Sequence, residues 1–340
     1  MGRGTSAEIS LPRPGPCLIG ALAVVLVGLA FGAVMIGPYG LTPGQVLSAL
    51  LGQGDLQAQI IVWNIRLPRV CAAILVGAAL AAAGASYQAL FRNPLVSPDI
   101  LGVSAGAGLG AVAGIFLSLP VAAIQGAAFV GGMAAVGVVM LVGAMVRHAD
   151  RTLTLVLIGV VIGALAGAAT SLLKVMADPY DQLPAITFWL LGSLASITTR
   201  DILPALPMVL VGLIPLVLLR WRVNVLSLGD EEARALGIEA GRTRFIVIAA
   251  ATLITASVTA LAGVVGWVGL VIPHIARMLV GPGFGRLLPA SALIGAGYLL
   301  IVDTLARSLA AVEVPLGVLT AVIGAPFFVW LLARGRRGWS

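Results

Sequence analysis

Few residues in this sequence have the type and spacing to do chemistry, and each candidate is narrowed by its neighbours. Gly102-Val-Ser-Ala-Gly106 spells the G-x-S-x-G pattern of a hydrolase nucleophile turn. That pattern requires a strand, a sharp turn and a helix around the serine, with a base in reach. Here it opens an uncharged apolar run within a series of glycines, so hydrolysis is not expected. A phosphate-cradling G-x-x-x-x-G-K-[ST] loop is missing: Lys174 is the only lysine, and Leu172 and Leu173 precede it where glycine is needed. The chain is therefore no P-loop ATPase. His148 and His274 are the only histidines, and no CxxC or HxxxH pairing offers metal or haem ligands. No cofactor is expected on this chain. Asp303 is the exception among runs otherwise almost free of ionisable residues, and Arg307 follows it at i,i+4. Ion-coupled transporters place such groups in mid-membrane, whereas a pair near a helix end reads as structural.

The elements that must position these residues are apolar. The chain has 340 residues, 60% of them hydrophobic and 10% charged, with a mean hydropathy of +1.11. Soluble domains carry about 25% charged residues, so too few charges are present to cover a water-facing surface. The basic excess, 20 Lys and Arg against 13 Asp and Glu, is scattered in short clusters between apolar runs. With a single lysine it makes no polybasic face, and a nucleic-acid partner is not expected. Cys17 and Cys71 lie in or beside apolar stretches and are expected to be small buried hydrophobes without a disulfide framework.

Runs of about 20 apolar residues can cross a bilayer. They occur at 17–36, 70–90, 100–119, 121–146, 153–173, 202–219, 245–265, 287–305 and 315–333. The first exceeds a signal-peptide core and is read as a retained span. The charge-free stretch 100–146 divides at Ser118-Leu119-Pro120, and a turn at 263–269 leaves a short tenth segment at 267–280. The expected fold is an all-α polytopic membrane protein of about ten transmembrane helices with short re-entrant or interfacial helices. Residues 1–16 and 335–340 form tails around one membrane domain, 17–334, whose longest polar loop is 221–244. Ten spans put only Arg66, Arg69, Lys174, Arg200 and Arg307 on the side opposite the N-terminus. The positive-inside rule then places both termini in the cytoplasm. Gly102, Gly106, Gly110 and Gly114, and likewise Gly159, Gly163 and Gly167, recur every fourth residue, as close-packed membrane helices require.

Four non-spanning segments remain. The outer loop 38–69 ends in Trp63-Asn-Ile-Arg-Leu-Pro-Arg69, whose arginines suit either lipid headgroups or the carboxylates of an external partner. The inner segment 92–99 holds Asn93 between an arginine and two prolines, a plain turn or a constriction. Residues 185–194, within the outer stretch 177–201, are too few to span and suit a short helix dipping into the surface. In Ser227-Leu-Gly-Asp-Glu-Glu-Ala-Arg-Ala-Leu-Gly237, Ser227 and Asp230 suggest a capping box, and acids in the first turn favour the helix dipole. Gly237 suits a left-handed close. A short polar helix in a loop is a docking device.

Together these segments resemble the ABC-importer permeases for ferric siderophores, haem and cobalamin. The residues that carry the resemblance are Ile65-Arg-Leu-Pro-Arg69, Gln88-Ala-Leu-Phe-Arg-Asn-Pro-Leu95, Ser97 to Gly106, Ala233-Arg-Ala-Leu-Gly237, Gly266 to Arg277 and Glu313 to Phe328. The resemblance implies a homodimer in the bacterial inner membrane, moving its cargo at the subunit interface. Two cytoplasmic ABC ATPase subunits, which use ATP and Mg, would bind below, and a periplasmic or lipid-anchored substrate-binding protein above. It further implies that Ser227, Leu228, Gly229, Asp230, Glu231, Glu232, Ala233, Arg234, Ala235, Leu236 and Gly237 form the coupling helix. Arg66, Arg69 and Arg307 would receive the binding protein's acidic residues. Asn93, Leu95 and Thr152 would lie near the gate, with Thr170, Ser171 and Phe188 along the pathway. The cargo implied is a ferric siderophore, with haem, cobalamin or molybdate as alternatives.

Overall fold

Lipid gives backbone N–H and C=O groups no partners, so the apolar runs satisfy them as helices. A computed structural model describes residues 16–146, 151–310 and 312–334, which are helical with no strand among them. The helices are α1 (Pro16–Met35), α2 (Pro43–Leu50), α3 (Leu56–Ile60), α4 (Leu67–Phe91), α5 (Val103–Phe116), α6 (Val121–Met145), α7 (Arg151–Met176) and α8 (Gln182–Leu191). They continue as α9 (Thr199–Leu218), α10 (Arg220–Leu226), α11 (Asp230–Ala235), α12 (Ala240–Ala262), α13 (Val268–Val280), α14 (Phe284–Ala306) and α15 (Leu316–Arg334). A π-helical turn, Ile61–Arg66, joins α3 to α4, and a 3-10 turn, Pro98–Leu101, precedes α5.

Seven spans among the described residues are long and apolar enough to cross a membrane: α1, Leu56–Phe91, α6, α7, α9, α12 and α14. The shorter α5, α13 and α15 complete the ten expected, and α8 is the short surface helix. The end of the bundle carrying α10 and α11 is termed lower. α1 begins there, its Leu18 and Leu22 packing beside Val280 and Leu287, and α15 ends there. Both described ends of the chain thus lie on one side.

The breaks fall where backbone chemistry requires them. Ser118 takes φ 53 and Pro120 caps α6, which splits the charge-free stretch as expected. Gly263 (φ 71) ends α12 before α13 starts. α4 lies at the centre, with 78% of its span buried, against 11% for α1 and 17% for α7. Glycine permits this crowding: a Cβ on Gly84 would overlap the Gly269 carbonyl oxygen of α13, and one on Gly77 the Gly295 carbonyl oxygen of α14.

Three expectations need correction. Residues 38–69 are no loop at their end, because the helix of α4 extends back through the π turn to Leu56. Thr42 and Gln45 form a capping box on α2, a helix within the expected outer loop. Cys17 and Cys71 are free thiols on exposed faces, not buried ones, since the outward faces of these spans are as apolar as the core. His148 and the segments 1–15 and 335–340 lie outside the described residues.

Candidate coupling and translocation surfaces

The lower loop contains the polar helix expected of it, built differently at its start. α10 ends at Ser227, whose hydroxyl donates back to the Asn224 carbonyl at 2.6 Å. Ser227 therefore closes α10 and does not cap α11; the N-cap of α11 is Gly229, with φ 151. A Cβ on Gly229 would overlap the Glu232 carboxylate. At the other end the sequence reading holds. Gly237 takes φ 74, its N–H donates to Arg234 O, and the Ile238 N–H donates to Ala233 O. This is a Schellman close, sealed by the buried pair Ala233 and Ile238. Glu231, Glu232, Arg234, Ala235, Leu228 and Leu236 are left exposed, forming an acidic and apolar knob. The side chain of Asp230 is not described.

Asn224 is a residue that sequence reasoning missed. Its Oδ1 accepts the Phe284 N–H at 2.7 Å, which fastens α10 to the first residue of α14. The signal was an amide between Val223 and Val225 in an otherwise apolar turn. Beside it lies a cavity of about 730 Å³ lined by Gln88, Arg92, Asn93, Asn224, Ser227, His274, Arg277 and Trp330, among others. Arg277 Nη2 donates to Gln88 Oε1 at 3.1 Å, and Gln88 Nε2 to Leu270 O at 3.0 Å, joining α4 to α13. Asn93 is exposed on this rim. Its Oδ1 accepts the Leu95 N–H at 2.9 Å, an Asx turn that follows the left-handed Arg92. Leu95 is exposed. Thr152 lies in the first turn of α7, with its side chain outside the description.

The upper arginines point inward. Arg69 Nε donates to Asp303 at 2.9 Å, and its two Nη groups grip Glu313 at 2.7 and 2.9 Å. Arg307 lies 3.7 Å from Asp303 and donates through Nη2 to Ala33 O at 2.6 Å. Burial lowers the pKa of Arg307, and the Asp303 carboxylate opposes that shift. Arg66 donates to Val34 O, Met35 O and Tyr39 O. Arg66 and Arg307 thus take the last carbonyls of α1, the negative end of its dipole. All three arginines are at most 6% exposed. The sequence suggests that Arg66 and Arg69 turn to headgroups or a partner and that Arg307 pairs with Asp303; in the structure Arg307 does lie beside Asp303, and the guanidinium groups of Arg66 and Arg69 are also bound within the chain.

The pathway candidates lie on α7 and α8, whose packing is looser than that of α5. Gly106 and Gly110 of α5 meet Gly131 and Ala127 of α6, as the glycine spacing suggested. Of the α7 glycines, only Gly159 leaves no room for a Cβ against the bundle. A Cβ on Gly163 or Gly167 would meet nothing. Ser171 is exposed and donates to Gly167 O, Thr170 is half-buried, and Phe188 on α8 is exposed. α8 is held as a re-entrant piece: Gln182 Nε2 donates to Phe116 O, the Ser193 N–H to Ala262 O, and the Leu316 N–H to Gly192 O. Irregular backbone at membrane depth is paired within protein. Ser104 of the hydrolase-like pattern sits on helix α5 and donates to Asp99, with no strand among the described residues. No metal-binding group of three or more His, Cys, Asp or Glu occurs among the described residues either.

The sequence profile of the FecCD transport family matches residues 22–334. The molybdate import system permease protein of Haemophilus influenzae is 38% identical over 333 residues, 96% of this chain and 98% of that protein. The Fe(3+)-citrate import system permease protein of Bacillus subtilis is 43% identical over 317 residues, covering 92% and 93%. A solved structure described as an inward-facing conformation of a metal-chelate type ABC transporter matches with a TM-score of 0.86 and 38% identity, covering 94% of this chain and all of that one.

Proposed function

The chain belongs to the FecCD transport family, and from that premise we propose that it forms the membrane path for ferric siderophores or similar metal chelates in an ATP-driven importer. As a multi-pass permease of ABC type it supplies the path, and ATP with Mg is used by a separate subunit. Two copies would meet across the open face of α7 and α8, with Thr170, Ser171 and Phe188 toward the cargo. The lower side would be the cytoplasm of a bacterial inner membrane, with both termini there and an ATPase under each copy. A substrate-binding protein would sit on the upper side, near Arg69 and Glu313. Closure of the ATPases would push the two α11 helices and exchange outward for inward opening.

One observation carries this reading. α11 is closed at Gly237, carries an exposed acidic and apolar surface, and follows α10, which Asn224 ties to the membrane-spanning α14. Ion-coupled transport is disfavoured by the same structure, since Asp303 is already neutralised by two arginines. Relatives named for molybdate, cobalamin and Fe(3+)-citrate support a metal-containing cargo and leave haem, cobalamin or molybdate as alternatives. Gentle purification of the tagged chain from its host should bring down a stoichiometric P-loop ATPase. The double substitution Glu231→Lys, Glu232→Lys should leave ATP hydrolysis running without uptake. An intact chain that captures no ATPase would overturn the reading.

A further inference from the structure

Beside α10, sharing Asn224 with the cavity described above, lies an open crevice of about 400 Å³ lined by Arg220, Trp221, Asn224, Gly283, Gly285 and Arg286. No carboxylate lines it. Arg220 and Arg286 are exposed and have no ion-pair partner among the described residues. The Arg220 stem lies over Gly285, 3.7 Å from where a Cβ would stand. Asn224 spends its oxygen on the Phe284 N–H, so its amide nitrogen is the donor that remains. Its depth identifies what can reach it. α9 ends at Leu218 after 20 residues and α14 begins at Phe284 for 23, each long enough to cross the hydrocarbon. The crevice therefore lies at the membrane–water boundary, where the 59% exposed Trp221 is at home.

We propose that this crevice binds the phosphate of an anionic phospholipid from the leaflet on the α10 side. Guanidinium forks suit phosphate oxygens, and Trp221 covers the glycerol region. The lipid bridges α10 to α14 and so steadies the root of α11. The same donors could take a free phosphate, and the location favours the lipid.

The test uses the full chain in mixed micelles of phosphatidylglycerol and phosphatidylcholine, with retained lipid measured by mass spectrometry after delipidation. The wild type should retain phosphatidylglycerol selectively, and Arg220→Gln with Arg286→Gln should reduce that by about tenfold. Phosphatidylglycerol should also raise the thermal midpoint of the wild type and not that of the variant, whose own cooperative melt without the lipid shows that it is folded. Equal retention of both lipids, or equal retention by both proteins, overturns the proposal. Displacement of the lipid by equimolar inorganic phosphate also overturns it, because the crevice then reads phosphate without a membrane. Unchanged lipid retention with weakened ATPase capture would assign the surface to the protein partner and equally overturn it.

Discussion

Arg69 and Asp303, 234 positions apart in sequence, meet at 2.9 Å with the carboxylate wholly enclosed. Asp303 serves two arginines, because Arg307 closes on its other oxygen at 3.7 Å. Removing a buried charge leaves its partners uncompensated, at a cost of about 3–5 kcal/mol. Asp303→Asn should therefore lower the thermal midpoint of the purified chain sharply. Arg69→Met combined with Asp303→Leu should recover part of that loss, since a packed apolar pair has no desolvation penalty. A double variant no more stable than Asp303→Asn would count against the account.

Glu313 grips the same guanidinium from the water side and is 37% exposed. Only the Glu313 side of this pair reaches water, so salt screens it more than it screens the enclosed Arg69–Asp303 pair. Glu313→Gln should lower stability far less than Asp303→Asn, and the difference from wild type should shrink as salt rises. An acidic partner at the upper face would compete for Arg69 at this contact, so the variant is also expected to change capture of a binding protein. Melting curves at two ionic strengths read the first effect directly.

Glycines that look alike in sequence divide by what they touch. A methyl on Gly84 would overlap the Gly269 carbonyl oxygen, while one on Gly167 would meet nothing within the chain. Gly84→Ala is expected to destabilise by about 3 kcal/mol, the upper end of the range for overpacking, because backbone at the crossing of two helices has nowhere to move. Gly167→Leu should leave the monomer's melting unchanged and break the proposed homodimer, as seen by light scattering in detergent. An unaffected dimer would remove α7 from the interface.

Much of this division was legible beforehand, and the reasons differ by residue. The breaks at Pro120 and Gly263 and the close at Gly237 are local backbone requirements, so the sequence displays them. The glycine spacing of α5 likewise announced close packing, and α6 is its partner. What could not be read was which polar groups meet across the bundle. Nothing local to Arg66 signals that it takes the end of α1, and the proline after it disguised a continuous helix. Ser227 offered a plausible cap for α11, yet α10 claimed its hydroxyl first. The faces of α1 and α4 that carry Cys17 and Cys71 misled for a related reason: beside lipid, hydrophobicity does not distinguish inside from outside.

Gly237 gives the most specific test of the proposed coupling role of α11. Its φ of 74 lets its own N–H and that of Ile238 return to Arg234 and Ala233, closing α11 and fixing its angle to α12. A β-branched residue there costs about 1–2 kcal/mol in the left-handed region. Open space surrounds Gly237, so the penalty comes from the backbone alone and not from a clash. Most of it should be met by fraying the short helix, since the spans above it are held by far larger burial. Gly237→Val should then leave the melting of the whole chain nearly unchanged while weakening ATPase capture and uncoupling hydrolysis from transport. Gly237→Asn, which tolerates the left-handed conformation, should restore most of both. Equal defects in the Val and Asn variants would mean that something other than backbone conformation is at stake at this position.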